Sequence, residues 1–222
     1  MNSIYAIKIL NTKEYINIKD KLFNFLSNSS KEKLSNYKNI ICQQRSLLGE
    51  VIVRNYFNKK HNIPFQNIDF KYNKTGKPHI KNINDFNFNI SHSGEWVVVV
   101  FSDDEIGVDI EKIKDINFEI AQRFFSEEEC DNIFTKNEKE KLEQFFIYWT
   151  IKESFLKAIG TGLTRPLNTF TVKLIDNKYH IFEDTKKLDW NIYLNKLENY
   201  FISVCSKANE KYLIKEININ DL

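Results

Sequence analysis

Residues that usually mark secreted, membrane-spanning or cysteine-rich proteins are scarce in this chain of 222 residues. It has only 3 Cys, 3 Pro and 6 Gly. The cysteines are widely spaced and odd in number, which indicates neither a disulfide framework nor a cysteine-based metal site. No window of 18 apolar residues exists, so no membrane span is predicted. The first residues lack the basic and apolar regions of a signal peptide, and we expect a protein of the reducing cytoplasm.

What the chain does contain is typical of a globular protein: 42% hydrophobic and 28% charged residues. The net charge of +2 is unevenly spread, because residues 1–80 carry 14 Lys and Arg against 5 Asp and Glu. This balance of +9 beside −7 in residues 81–222 predicts a polyanionic ligand held by the first part and a metal held by the second. The alternative explanation of this charge distribution is that the lysines cluster on solvated helices without a ligand. The sequence lacks the interleaving of aromatic and basic residues that would predict nucleic acid binding.

The segment Gly107-Val108-Asp109-Ile110-Glu111 is the most informative short stretch. In a β-strand, Val108 and Ile110 would lie on one face and Asp109 and Glu111 on the other. Two carboxylates this close repel each other, and a hard divalent cation such as Mg²⁺ would relieve that repulsion while sharing its coordination with a phosphate. A solvated acidic face is the alternative for an isolated segment of this kind.

A long helix is predicted over residues 138–159, ended by Gly160. Trp149, Glu153 and Lys157 are spaced by four residues and therefore share a face. Because Glu153 lies beside an apolar stripe, it needs a metal or a cationic partner.

The remaining pattern predicts an α+β fold without a linker or repeat. A strand is expected over 4–10, helices over 13–26 (with Ser30 as N-cap of the next), 43–60 and 118–125, and a strand over 86–90 that runs into Ser91-His92-Ser93. Short strands follow at 170–175, 178–182, 190–194, 199–205 and 211–217. Arg45 and Ser46 near the start of the 43–60 helix suit an anion.

Taken together, these motifs resemble those of the 4′-phosphopantetheinyl transferases of the larger, surfactin-synthetase-activating type. Gly107–Glu111 is similar to the signature G-[VI]-D-x-E, and residues 149–157 to W-x-x-K-E-[SA]-x-x-K. In the order expected of that type stand Arg45-Ser46-Leu47-Leu48-Gly49, Gly76-Lys77-Pro78, Asn89-Ile90-Ser91-His92-Ser93 and Arg123-Phe124-Phe125-Ser126. The resemblance covers roughly residues 1–175.

The resemblance implies two similar α/β halves packed as a pseudo-dimer in one chain, which we expect to be a monomer. Residues 1–103 would bind the 3′-phosphate and adenosine of coenzyme A, and residues 104–222 would carry the metal site and the surface for a carrier protein. The implied reaction moves the phosphopantetheine arm of coenzyme A onto a serine of an apo acyl or peptidyl carrier protein and releases 3′,5′-ADP.

The resemblance also implies roles for single residues. Asp109, Glu111 and Glu153 would bind Mg²⁺, and Glu153 would act as the base for the carrier serine or only as a ligand. Lys157 would reach the phosphates or pair with Glu153, and Lys152 would contact phosphate or water. The cofactor-binding set implied for coenzyme A is Lys33, Arg45, Ser46, Gly76, Lys77, Pro78, Ser91, His92, Lys152 and Lys157.

Docking of the carrier is expected on residues 112–148, through apolar contacts, since this segment is itself rich in Glu. Whether the carrier serves fatty acid, polyketide or nonribosomal peptide synthesis stays open. Two alternatives remain at this point: another Mg²⁺-dependent enzyme of nucleotides or pyrophosphates, and a non-catalytic module that binds coenzyme A.

Overall fold

The computed structural model describes residues 2–81, 83 and 86–222. The helices are α1 (Thr12–Phe23), α2 (Asn28–Ser35), α3 (Ile40–His61), α4 (Glu119–Phe124), α5 (Glu127–Phe134) and α6 (Glu138–Ile159). The strands are β1 (Asn2–Lys8), β2 (Phe70–Tyr72), β3 (Pro78–Ile80), β4 (Asn87–Ser93), β5 (Trp96–Ser102), β6 (Ile106–Lys112), β7 (Thr171–Ile175), β8 (Lys178–Glu183), β9 (Lys186–Lys187), β10 (Asn191–Leu197), β11 (Tyr200–Ser206) and β12 (Tyr212–Glu216).

Two sheets form the centre of the molecule. The first has the strand order β12-β1-β5-β4 and the second the order β10-β11-β6. The strand β5 is buried along its whole length, because its run Trp96–Phe101 is apolar on both faces. The same holds for β11 in the second sheet. Smaller sheets, β2-β3 and β7-β8-β9, lie at the periphery.

The two halves repeat one order of elements: a strand, three helices, a small sheet and two antiparallel strands. In the N-terminal half β1 pairs with β5 and β5 with β4, and in the C-terminal half β6 pairs with β11 and β11 with β10, all antiparallel. The third helix of each half, α3 and α6, has 22 residues, and the second, α2 and α5, has 8. The predicted α+β fold with two similar α/β halves is therefore confirmed.

The halves meet where β4 lies beside β6, and the turn between β5 and β6 contains the predicted division after residue 103. The last strand, β12, crosses back and pairs in parallel with β1. Residues 212–216 therefore belong to the N-terminal sheet, although the sequence places them in the second half.

Local sequence signals fix the helix ends. Gly160 ends α6 in the left-handed region at φ 71°, a conformation that glycine adopts without a steric cost. Ser126 caps α5 in a reciprocal capping box with Glu129. The expected N-cap Ser30 is wrong: Ser27 caps α2, and Ser30 is the residue whose backbone N–H it accepts. Within the described part of the chain, no helix is both long and apolar enough to span a bilayer.

Candidate active site

A row of polar side chains on β4 joins the two halves. Asn89, Ser91 and Ser93 alternate along the strand and therefore share a face. Their side-chain oxygens accept the backbone N–H groups of β6: Val108 donates to Asn89 Oδ1 at 2.9 Å, Ile110 to Ser91 Oγ at 3.4 Å and Lys112 to Ser93 Oγ at 3.2 Å. These bonds fix the register between the halves where the acidic motif lies.

The same two serines hold the carboxylates of that motif. Ser91 Oγ donates to Asp109 Oδ1 and Ser93 Oγ donates to Glu111 Oε2, both at 2.9 Å. Val108 and Ile110 are fully buried on the opposite face of β6, as the period of two predicts. Asp109 is only 3% exposed, which excludes the alternative of a solvated acidic face for that residue.

From α6, Glu153 and Lys157 approach the same place. Lys157 Nζ lies 2.6 Å from Asp109 Oδ1 and 2.8 Å from Ser91 Oγ. The anionic partner of Lys157 is thus Asp109, whereas the sequence offered Glu153 for a helical pair. Burial, with repulsion from Asp109 as the next cause, raises the pKa of Glu153.

Glu111 shows the same effect more strongly. Burial, followed by repulsion from Asp109, raises its pKa to about 7, although Ser93 and Lys157 oppose the shift. Asp109 therefore acts electrostatically on both other carboxylates. The three acidic residues that the sequence selected form one coupled cluster.

The cluster fits a divalent cation by the chemistry of its donors. Asp109 Oδ2 is buried and has no hydrogen-bond partner among the described residues, so the site holds an acceptor oxygen that the fold leaves unsatisfied. Among residues 2–81, 83 and 86–222, however, no three His, Cys, Asp or Glu side chains are placed so that they could together hold a metal ion. Mg²⁺ commonly uses one or two carboxylates together with substrate phosphates, and this open arrangement is compatible with such binding.

A cleft of about 450 Å³ opens beside the cluster and is lined by Glu153, Lys157 and the loop 75–78. The loop is fastened to the end of α6, since Thr75 Oγ1 donates to the Gly160 carbonyl at 2.6 Å. Lys77 Nζ donates to the carbonyls of Ile106 and Ala158 at 3.2 and 3.0 Å. The ammonium of Lys77 therefore braces the two halves, while Gly76 and Pro78 line the cleft as expected.

An adjoining pocket of about 230 Å³ shares Gly76, Pro78 and Ile90 with the cleft. Lys33, Ser46 and His92 line it, so most of the residues assigned to the 3′-phosphate are brought together. Lys33 Nζ donates to the Tyr72 hydroxyl at 2.6 Å, and the Tyr37 hydroxyl lies 3.5 Å from Ser46 Oγ.

Arg45 lies near this pocket, close enough for its charge to act on His92 of the pocket wall. Arg45 donates through Nη2 to the Gly94 carbonyl, whereas its buried Nε has no partner in the described structure. Desolvation by the surrounding protein, and next to it the charge of Arg45, lowers the pKa of His92. An anion in the pocket would reverse that shift and satisfy the Arg45 donor.

Comparison with known proteins identifies the enzyme class. The model of the 4′-phosphopantetheinyl transferase superfamily matches residues 105–205, and the model of the N-terminal part of 4′-phosphopantetheinyl transferases matches residues 18–103. The 4′-phosphopantetheinyl transferase gsp of Aneurinibacillus migulanus is 43% identical over 190 residues, which cover 83% of this chain and 79% of that protein. This chain belongs to the 4′-phosphopantetheinyl transferase family.

One more relative agrees with this assignment. The 4′-phosphopantetheinyl transferase Sfp of Bacillus subtilis (strain 168) is 39% identical over 155 residues, 70% of this chain and 69% of that protein. Among solved structures, the holo-(acyl-carrier-protein) synthase of Bacillus anthracis str. Ames in complex with CoA (3′,5′-ADP) is similar at 18% identity. The match covers 46% of this chain and 93% of that chain, with a TM-score of 0.41.

As a 4′-phosphopantetheinyl transferase, the protein transfers phosphopantetheine from coenzyme A to carrier proteins. This membership decides against the two alternatives, a different Mg²⁺-dependent enzyme and a non-catalytic module, that the sequence left open.

One predicted cofactor ligand of this transferase does not reach the site. Lys152 is fully buried in the C-terminal half, where its Nζ lies 2.9 Å from Glu129 and donates to the carbonyls of Leu167 and Phe170 at 2.8 and 2.6 Å. All three donors of the ammonium are used, so neither phosphate nor water contacts it. The signature lysine is a structural residue in this protein.

Sequence reasoning also missed residues that shape the site. Ser93 and Asn89 were quoted as parts of a motif without a role, although their alternation with Ser91 was a signal that the three share a face. The sequence contained no signal for Tyr72, since its position over Lys33 depends on the pairing of β2 with β3.

Proposed function

We propose that this transferase works by a Mg²⁺-dependent displacement that releases 3′,5′-ADP. The observation that carries the proposal is the coupled carboxylate cluster around the unpartnered Asp109 Oδ2, at the edge of a cleft lined by Glu153 and Lys157. Asp109, Glu111 and Glu153 would hold the ion. When bound, Mg²⁺ supplies neutralisation of the pyrophosphate oxygens.

The residues of the chain perform the remaining steps. Lys157 uses two of its donors on Asp109 and Ser91, and the third is free to contact a phosphate oxygen and stabilise the charge that develops there. Glu153 accepts the proton of the carrier serine as that hydroxyl attacks phosphorus.

The adjoining pocket would bind the 3′-phosphate of coenzyme A. Its support is the free Nε of Arg45 and the positions of Lys33, Ser46 and His92 on the pocket wall. Glu50 lines the same wall, but its carboxylate accepts two hydrogen bonds from Arg54, at 3.0 and 2.6 Å. The negative charge of Glu50 is thus neutralised within the fold and does not oppose a phosphate.

The carrier protein would dock on residues 112–148. Ile120 and Phe134 on this segment are 37% and 40% exposed, and apolar side chains left in water are candidates for a protein contact. Replacing both with Ser should raise KM for the carrier while KM for coenzyme A stays the same. An equal rise of both constants would contradict this placement. We also propose that the enzyme acts as a monomer, because both halves of the cleft come from one chain. Its location would be the cytoplasm.

The test of the reaction is the mass of an apo acyl or peptidyl carrier after incubation with coenzyme A. With Mg²⁺ we expect a mass gain of one phosphopantetheine and equimolar 3′,5′-ADP, and with EDTA neither. Asp109→Ala should abolish transfer while circular dichroism stays native. Undiminished transfer in EDTA, or by Asp109→Ala, would refute the metal-dependent mechanism. A panel of carriers run in the same assay identifies the one that is served.

A further inference from the structure

The turn between β4 and β5 contacts residues of both candidate subsites. It consists of Gly94 and Glu95, the two residues between the paired ends of the strands. Just before the turn, Ser93 Oγ donates to Glu111 of the carboxylate cluster at 2.9 Å. Within the turn, the carbonyl of Gly94 accepts a hydrogen bond from Arg45 Nη2, beside the pocket proposed for the 3′-phosphate. The turn therefore connects the acidic cluster of one half with an arginine of the other.

One peptide group of this turn has both of its polar atoms in use. Its carbonyl belongs to Gly94 and accepts from Arg45, and its N–H belongs to Glu95 and donates to the Tyr200 hydroxyl at 3.2 Å. In a trans peptide the C=O and the N–H point in opposite directions, so the two bonds fix one plane from its two sides. The direction in which the carbonyl points therefore depends on the partner of the N–H.

Tyr200 reaches this peptide from the C-terminal half, as the first residue of β11. It is 1% exposed and pairs across the sheet with Lys112, the last residue of the acidic strand β6. A Cβ on Gly94 would overlap with the Tyr200 hydroxyl oxygen, so this oxygen lies directly against the turn. Because the core around the ring is close-packed, the hydroxyl has little freedom to leave this position.

Other bonds hold the backbone on either side of the 94–95 peptide. The carbonyl of Glu95 accepts from the Ile9 N–H at 2.7 Å, and Ser93 Oγ accepts from the Lys112 N–H at 3.2 Å. Neither bond orients the 94–95 peptide itself. Within the described part of the chain, Tyr200 alone accepts a hydrogen bond from the N–H of that peptide.

Arg45 is the side chain whose position this peptide determines. In the described structure its guanidinium makes one hydrogen bond, to the Gly94 carbonyl, and its buried Nε has no partner. Since the guanidinium is a rigid planar fork, a bond at Nη2 sets the direction of the remaining donors. A buried donor that the fold leaves unsatisfied is available to an anion.

We propose that Tyr200 is a positioning residue for coenzyme A: its hydroxyl orients the 94–95 peptide, and that peptide holds Arg45 toward the 3′-phosphate. This inference rests on the proposed function of the pocket beside Arg45. It gives the C-terminal half, which carries the carboxylate cluster, a part in distinguishing coenzyme A from 3′-dephospho-coenzyme A.

The experiment measures kcat, KM for coenzyme A and the inhibition constant of 3′-dephospho-coenzyme A, which lacks only the 3′-phosphate. Tyr200→Phe removes the hydroxyl and keeps the buried ring. We expect KM for coenzyme A to rise about fivefold, as the loss of one hydrogen bond predicts. The value of kcat and the inhibition constant of the dephospho compound should stay at wild-type values. A general loosening of the fold would instead lower kcat or raise both constants, and either result would overturn the proposal.

Arg45→Met distinguishes a failure of this inference from a failure of the pocket assignment. It should raise KM for coenzyme A more than Tyr200→Phe does, and adding Tyr200→Phe should raise it no further, because the tyrosine acts through the arginine. If Arg45→Met keeps the wild-type preference for coenzyme A over the dephospho compound, the pocket assignment fails and this inference with it. If Arg45→Met loses that preference but Tyr200→Phe keeps it, or if the two effects multiply, only the inference about Tyr200 fails.

Tyr212→Phe is the matched control. Tyr212 is 3% exposed, its hydroxyl lies 3.5 Å from Ser206 Oγ, and it pairs with Asn2 at the end of β1 far from the turn. The substitution also removes a buried tyrosine hydroxyl, and all three constants should stay at wild-type values. A rise in KM for coenzyme A equal to that of Tyr200→Phe would overturn the proposal, since the loss of any buried hydroxyl would then have the same effect.

Discussion

The two halves of this transferase share one topology and differ in how closely the long helix approaches the first strand. In the C-terminal half, Gly107 allows the backbone of α6 at Ser154 and Ala158 to lie directly on β6. In the N-terminal half Ser3 stands at the equivalent position of β1, and Tyr56 and Lys60 occupy the positions of α3 that correspond to Ser154 and Ala158. The first arrangement brings Glu153 and Lys157 to Asp109, and the second leaves a cavity of about 500 Å³ between α3 and the strands β1 and β12.

This difference between the halves shows that the fold alone does not determine which chemical groups form a site. The same frame holds the carboxylates of Asp109, Glu111 and Glu153 in one half and, at equivalent positions of β1 and α3, Tyr5, Ile7 and Asn55 in the other. What makes the C-terminal half a candidate metal site is a set of side chains at equivalent positions, together with a glycine that permits the close approach.

The largest effect on the unfolding free energy should come from replacing the buried cations that anchor the long helices. These cations stand at equivalent positions of α6 and α3. Lys152 pairs with Glu129, both fully buried, and Arg54 pairs with Glu50. Lys152→Met leaves the Glu129 charge uncompensated and should cost about 4 kcal/mol of unfolding free energy. Arg54→Met should cost less, about 2 kcal/mol, because Glu50 borders the pocket lined by Lys33, Ser46 and His92, where water can reach it.

Chemical denaturation of both variants measures this difference. The double variant Lys152→Met/Glu129→Gln should recover part of the loss, since a neutral amide oxygen still accepts the Val172 N–H that Glu129 Oε1 now accepts at 2.7 Å. Equal losses in the two halves, or no recovery in the double variant, would contradict this account of the pairs.

The next largest effect on stability and activity should come from a substitution of Gly107, the residue that permits the close approach of α6 to β6. A Cβ at this position would overlap with the Ser154 carbonyl oxygen and would lie 2.9 Å from the Ala158 Cα. Since these are backbone atoms, α6 must shift, and Gly107→Ala should cost about 3 kcal/mol. Transfer activity should fall more than stability requires, because Glu153 and Lys157 move with the helix.

Ser3→Ala, the change at the equivalent position of the N-terminal half, is the control and should cost less than about 0.5 kcal/mol. The measurement is denaturation together with kcat/KM at a temperature where the variant remains folded. A Gly107→Ala protein with native stability and activity would show that the helix is not held at this contact.

Much of this contrast was readable from the sequence. The acidic strand, the helix over 138–159 and its glycine stop follow from period and composition, and the structure has α6 with the same bounds. That Asp109, Glu111 and Glu153 bind one ion stays a prediction, and it rests on resemblance more than on spacing, since more than forty residues separate the strand from the helical glutamate.

What could not be predicted depends on contacts between distant segments. Lys152 lies one residue before Glu153 and was expected to contact phosphate or water. The helical period instead turns it by about 100° into the core, where it pairs with Glu129. The return of β12 to β1 and the cavity beside it likewise require the pairing of the two ends of the chain. Local patterns do not contain that information.

The smallest effect we predict is a dependence of stability on pH that arises from Glu111 and has no counterpart at the equivalent position of the N-terminal half. The pKa of Glu111 is raised from 4.5 to about 7, first by burial and then by Asp109. Between these two values the folded state binds more protons than the unfolded state, so the unfolding free energy falls as pH rises through that window. Ile7, at the equivalent position of β1, does not titrate.

Glu111→Gln should therefore stabilise the metal-free protein at pH 8, by about 1 kcal/mol after allowance for solvent screening, and hardly change it at pH 5. In melting temperature this is a difference of about 3 °C between the two pH values, measured in EDTA. Glu32→Gln, on the exposed side of α2, is the control and should change neither value. A gain at pH 5 as large as that at pH 8 would mean that the charge of Glu111 does not destabilise the folded state. The proposal that the carboxylate cluster binds a cation would then lose its main support.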